Sequence, residues 1–130
     1  MIKYNSTRGS QQEKTAAQAV IQGIAEDKGL YVPHRIPALD VSPEALKDST
    51  YQEIAEKVIS AFFNDYTAEE MKACVYGAYD DKFEEKTIAP LVKAGDAYFL
   101  ELYHGRTAAF KDMALSILPY LLTTALKKEK

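Results

Sequence analysis

The chain has 130 residues, 47% of them hydrophobic, with a net charge of −3 and a pI near 5.4. That is apolar material enough for the core of one soluble domain, and its basic residues cluster only at Lys127-Lys128-Glu129-Lys130, which speaks against a nucleic-acid partner. No run approaches the ~20 apolar residues of a membrane span, the first thirty residues lack a signal-peptide core, and a lone cysteine, Cys74, excludes an intrachain disulfide, so a reducing, cytoplasmic setting is expected.

Met1 to Asn5 reads as a short strand, followed by the polar turn Ser6-Thr7-Arg8-Gly9-Ser10. Ala17, Val20, Ile21 and Ile24 then fall at i, i+3, i+4 and i+7, one face of a helix over about residues 15–25, with Lys28-Gly29 as its stop. Gly29 to Pro33 is a brief extended segment, and the loop after it contains His34 with no second ligand at metal spacing. Ser42-Pro43 supplies an N-cap and a first-turn proline for one short helical turn.

Thr50-x-x-Glu53 and Thr67-x-x-Glu70 have capping-box spacing and open two amphipathic helices joined by Asn64-Asp65-Tyr66, an expected antiparallel helical hairpin. The first runs to about Phe63; the second points Met71, Cys74, Val75 and Ala78 inward, with Cys74 read as a buried small hydrophobe. After the charged connection Asp81 to Lys86, the runs from Ile88 to Lys93 and from Ala97 to Leu102 flank Ala94-Gly95-Asp96, a tight β-hairpin. A last helix is expected over residues 108–126, kinked or shifted by Pro119.

The most informative stretch runs from Glu101 to Ala114, where a strand ending before Gly105 leads into a helix after Thr107 and places Lys111 in its first turn. The N-terminus of a helix carries roughly half a positive charge, which disfavours a protonated amine. Burial between Phe110 and Met113 acts the same way, whereas Asp112 favours the charged form. A neutral lysine amine is the nucleophile that condenses with an aldehyde; the plainer reading of Lys111 is a solvated charge. Thr107 is expected as a helix N-cap and His104 as a hydrogen-bonded structural residue.

Glu101, then Thr107-Ala108-Ala109-Phe110-Lys111-Asp112-Met113-Ala114-Leu115, resembles the cofactor-lysine signature of pyridoxal-phosphate enzymes related to tryptophan synthase β. Within that group, Glu-Leu-Tyr-His-Gly-x-Thr-x-Ala-Phe-Lys-Asp is similar to the threonine synthases. Tyr4-Asn5-Ser6-Thr7-Arg8-Gly9, Ala16 to Ala25 and Gly29 to Pro33 are similar in order and spacing to the opening of the same family. One departure is Arg106, where the family commonly has proline.

The resemblance implies an α/β fold class: an α+β N-terminal domain over residues 1–86, with a helical hairpin and short strands, then the incomplete start of a fold-type II cofactor domain over 87–130. It implies pyridoxal 5'-phosphate held as an aldimine by Lys111, and conversion of O-phospho-L-homoserine and water to L-threonine and phosphate by a longer enzyme. The six dispersed glycines form no phosphate-cradling loop, so the chain alone is expected to lack turnover. The rival reading is a non-catalytic helical module that recruits a partner or forms a homodimer through an exposed strand edge, and a third is a related lyase acting on another phosphorylated amino acid.

Overall fold

Four of the six helices in the computed structural model, which describes residues 1–130, begin at a Ser or Thr whose side chain accepts a backbone N–H of the first turn. The elements in chain order are β1 (Tyr4–Ser6), α1 (Ala16–Gln22), β2 (Tyr31–Pro33), α2 (Pro43–Leu46), α3 (Tyr51–Phe62), α4 (Ala68–Ala78), β3 (Leu91–Ala94), β4 (Ala97–Leu100), α5 (Asp112–Leu115) and α6 (Leu118–Lys128). Thr15, Thr50 and Thr67 each form a complete capping box, so α1, α3 and α4 start where a local signal places them. The result is a mixed fold of helices and short strands, with two separate two-stranded antiparallel sheets.

β1 pairs with β2 in the register Tyr4↔Pro33, Ser6↔Tyr31. The turn after β1 is fastened by Asp27, whose carboxylate accepts the Ser6 hydroxyl at 2.6 Å and the Gly29 and Ser10 N–H groups at 3.0 and 3.1 Å. The Ser6 hydroxyl holds Asp27 below the ordinary carboxylate range, helped by those N–H donors. A Cβ on Gly29 would lie 2.0 Å from Ser6 Oγ, so this crossing is closed to any side chain. Helix α1 stops at Gly23, in the left-handed region at φ 72°, rather than at Lys28-Gly29. Ile24 therefore leaves the helical face and bridges Leu30.

Helices α1, α4 and α6 enclose the core. Ile2, Met71, Val75, Ile88, Leu121 and Ala125 belong to one buried cluster, so residues on both sides of position 86 share it. The inward face of α4 is the one its periodicity indicates, and Cys74 is buried with its sulfur 3.5 Å from Thr124 Oγ1. Strand β3 begins at Leu91, later than expected, because Ile88 turns into the core at 1% exposure with φ 63°. A β-branched residue there stores strain of about 1–3 kcal/mol, held by the packing around it.

Residues 107–111 form turns, and the expected single C-terminal helix is two, α5 and α6, broken at Ser116-Ile117. Pro119 does not kink an interior. It is the second residue of α6, where the N–H it lacks has no intrahelical partner to lose.

Three tyrosines fasten the elements by donating to distant carbonyls: Tyr4 to Phe62 at 3.0 Å, Tyr66 to Leu121 at 2.9 Å and Tyr79 to Met113 at 2.7 Å. Burial disfavours their phenolates, pushing Tyr4 up to about 12 and the other two higher still. A folded pKa above the unfolded value of about 10 contributes stability that is present below pH 10 and is lost as pH rises toward the folded values. The urea midpoint is expected to fall steeply above about pH 10. A variant with Tyr4, Tyr66 and Tyr79 all changed to Phe, less stable at neutral pH, is expected to lose that steep limb; equal slopes in the two proteins would contradict the assignment.

Candidate active site

The segment that carries Lys111 leaves the edge of the β3–β4 hairpin. Glu101 N–H donates to Pro90 O at 3.0 Å, and Glu84 N–H donates to His104 O at 3.0 Å, which ties the segment to the connection after α4. His104 Nε2 lies 2.7 Å from Glu101 Oε2, as befits a hydrogen-bonded structural residue, and this contact, with Tyr103 second, holds Glu101 below its usual range.

Beyond Gly105 the chain folds back on itself. Thr107 N–H donates to Asp112 Oδ2 at 2.8 Å and the Thr107 hydroxyl donates to Asp112 Oδ1 at 2.7 Å. Asp112 is buried at 5% exposure, and the Thr107 hydroxyl, followed by its N–H, holds it below the ordinary carboxylate range. Ala108 inside this loop has φ 54°. Lys111 follows as the residue immediately before α5, and its carbonyl accepts the N–H groups of Ala114 at 3.0 Å and Leu115 at 2.8 Å.

Several expectations need correction. Thr107 caps no helix: its hydroxyl donates to the Asp112 carboxylate four residues before α5 would need a cap. Asp112 does not pair with Lys111, which takes part in none of the three ion pairs of the chain. Helix α5 has only four residues, so the dipole before which Lys111 sits is that of a single turn. Nor is Lys111 buried between Phe110 and Met113; it is exposed, and so is Phe110 at 67%, while Met113 is half-buried.

What surrounds Lys111 is an open concavity of about 600 Å³ in which it is the one charged residue, the other eight lining residues being hydrophobic. Tyr51 from α3, Leu100 and Leu102 from the hairpin side, and Met113 from α5 form its walls. With Lys111 among apolar side chains, the concavity suits a ligand with an apolar ring. Lys111 is the only cation of the lining.

His34 serves structure: its Nδ1 accepts the Lys3 N–H at 3.0 Å. No group of three or more His, Cys, Asp or Glu side chains is placed to hold a metal ion. No helix is long and apolar enough to cross a membrane. Sequence reasoning missed the role of Asp112, which stands five residues after Thr107 and takes both of its donors.

The fold is that of a mixed α/β protein whose Lys111, between β4 and α5, lines an apolar concavity. The family model "Threonine synthase N terminus" matches residues 3–79, and the chain belongs to that family. The threonine synthase of Schizosaccharomyces pombe is 38% identical over 90% of this chain and 23% of its own, and that of Corynebacterium glutamicum is 36% identical over 98% and 28%. The solved structure of PLP-bound threonine synthase from Brucella melitensis superposes with a TM-score of 0.87 at 31% identity, over 99% of this chain and 28% of that one. The chain thus spans about a quarter of the length of the relatives it matches.

Gly105 is the tight point of the loop, since a Cβ there would lie 2.5 Å from Asp112 Cβ and 2.6 Å from Asp112 Oδ2. Gly105→Ala is expected to push Asp112 off Thr107 and to lower stability by about 1–3 kcal/mol. Thermal melts, with amide exchange at Thr107 reporting on the loop itself, check both parts.

Proposed function

We propose that this chain serves the threonine synthase reaction, in which O-phospho-L-homoserine and water become L-threonine and phosphate, and that Lys111 is the residue that holds pyridoxal 5'-phosphate. The observation that carries this reading is the position of Lys111 at the strand-to-helix junction, as the one charged group of an apolar concavity, in a chain that matches a PLP-bound threonine synthase along nearly its whole length. Residues 1–86 are the N-terminal domain of this design and 87–130 the opening of its cofactor-binding part; the family match ends at residue 79, and the buried core joins the two parts across position 86. A cytoplasmic setting accords with the single reduced cysteine, Cys74.

The cofactor, when bound, supplies an electron sink for the carbon next to the substrate amine. This chain's own contribution is more limited. Lys111 Nζ attaches the cofactor, and once released it takes and returns protons at neighbouring substrate carbons, a task for which one mobile amine suffices. Leu100, Leu102 and Met113 line the same concavity as Lys111 and give it an apolar wall. Phosphate and ring-nitrogen partners are not among the lining residues, so the chain by itself is expected to show no turnover.

Incubating the chain with pyridoxal 5'-phosphate, reducing with borohydride and mapping the peptides tests the assignment. Lys111 is expected to carry the pyridoxyl group in excess of every other lysine, and Lys111→Ala to remove that excess without lowering the melting temperature. Label spread evenly over the lysines would sink the role of Lys111.

A second reading, self-association as a homodimer, is favoured by the β3–β4 hairpin, all eight strand residues of which are exposed. Leu91, Val92, Tyr98, Phe99 and Leu100 stand in water on two strands, an arrangement that is marginal without a covering layer. Light scattering is expected to show a concentration-dependent dimer that the paired changes Val92→Lys and Phe99→Lys abolish. A monomer at every concentration accessible to the method would discard this second reading.

A further inference from the structure

We infer that Thr107 and Asp112 act together as positioning residues for Lys111, a carboxylate clamp that fixes the lysine's backbone before any cofactor arrives. This inference rests on Lys111 being the cofactor lysine. The Lys111 side chain has no ion-pair partner of its own, so what the fold holds is the point from which that side chain starts, its backbone. That backbone is held on both sides. Before Lys111, the loop is pinned by the two Thr107 donors, 2.8 and 2.7 Å from the two Asp112 oxygens, and by Asp112 N–H donating to Ala109 O at 3.0 Å. After it, the Lys111 carbonyl is taken by the first turn of α5.

Two further features fit a clamp rather than an incidental contact. Ala108 is held at φ 54°, a conformation that a non-glycine residue keeps only when its surroundings over-determine it. Gly105 leaves the room that Asp112 occupies, since a Cβ there would lie 2.5 Å from Asp112 Cβ and 2.6 Å from its Oδ2. Both oxygens of the buried Asp112 are engaged by Thr107.

The test uses the whole chain with pyridoxal 5'-phosphate as the probe. The amine nitrogen of a lysine adds to the aldehyde carbon, water leaves, and borohydride delivers hydride to the carbon of the resulting C=N bond, which makes the label permanent. The readout is the share of total label found at Lys111, compared among the parent chain, Thr107→Val, Thr107→Ser and Asp112→Asn. Thr107→Val keeps the side-chain shape and removes the hydroxyl donor, while Thr107→Ser keeps both donors. Amide exchange at Thr107 reports the clamp without any cofactor.

The parent and Thr107→Ser are expected to favour Lys111 alike, and Thr107→Val and Asp112→Asn to lower its share by roughly fivefold or more, as misplacement of a reacting group does. They are also expected to lose protection of the Thr107 amide. An unchanged Lys111 share in Thr107→Val, with that amide protection lost, overturns the clamp and leaves the cofactor-lysine reading standing. A Thr107→Ser share as low as that of valine also overturns it. Absence of any Lys111 preference in the parent chain overturns the cofactor-lysine reading itself, and the clamp's role with it.

Discussion

The docking of α6 against α1 and α4 is the constraint on which the rest of the molecule depends. It brings residues separated by more than half the chain into one core, with Ala125 fully buried and Ala16 and Ala17 almost so. Small side chains on α1 and α6 let two helix backbones approach closely, and a buried hydroxyl then fixes their neighbour, Tyr66 donating to Leu121 O from the loop before α4. An ion pair between Lys128 and Glu70, at 2.8 Å, closes the far end at the surface, where its contribution is at most about 1 kcal/mol. Because α6 is anchored in this way and Ile88 is anchored in the same cluster, both ends of the segment containing Lys111 are held by the core. The hairpin and the lysine loop between those anchors are free to face outward.

Beyond the local caps, three helix ends in this chain are also satisfied by residues far away in sequence, which ties the helices to their neighbours. The orphan carbonyl of Phe62, at the end of α3, is taken by Tyr4 of β1. An orphan N–H at the start of α1, that of Ala17, goes to Asp65 Oδ2 at 2.9 Å, in the turn between α3 and α4. The Met113 carbonyl, in α5, is taken by Tyr79 at the end of α4. Each bond alone is worth about 1 kcal/mol net. Their value lies in direction: each joins an element of the core to one that borders the concavity or its support.

Features set by neighbouring residues were legible from the amino-acid order. The two capping boxes at Thr50 and Thr67, the inward face of α4 and the Gly95-Asp96 hairpin turn depend on spacings of two to four residues, and each stands where those spacings indicate. Features set by distant packing were not. Ile24 has helical periodicity with Ala17, Val20 and Ile21, yet Gly23 adopts φ 72° and the chain leaves to meet Leu30. Ile88 carries strand propensity, yet the core draws it out of β3. The lysine loop failed for a similar reason: Thr107 before a hydrophobic run has the look of an N-cap, and nothing in local spacing says that a buried Asp112 will take both of its donors instead.

Geometry and electrostatics at Lys111 are therefore supplied by different parts of the architecture. The loop clamp settles where the lysine's backbone stands, and it does so with hydrogen bonds internal to residues 105–115. The dielectric around the amine is set by what faces the concavity, whose walls are apolar on the side formed by Tyr51, Leu100, Leu102 and Met113 and open on the other. A second apolar groove of about 550 Å³ shares Tyr51, Met113 and Ala114 with the first, so covering one concavity desolvates residues common to both. Position can thus be in place before the surroundings are dry, and a lysine whose backbone is already set gains the most when water is excluded, because no reorganisation of the loop is then required.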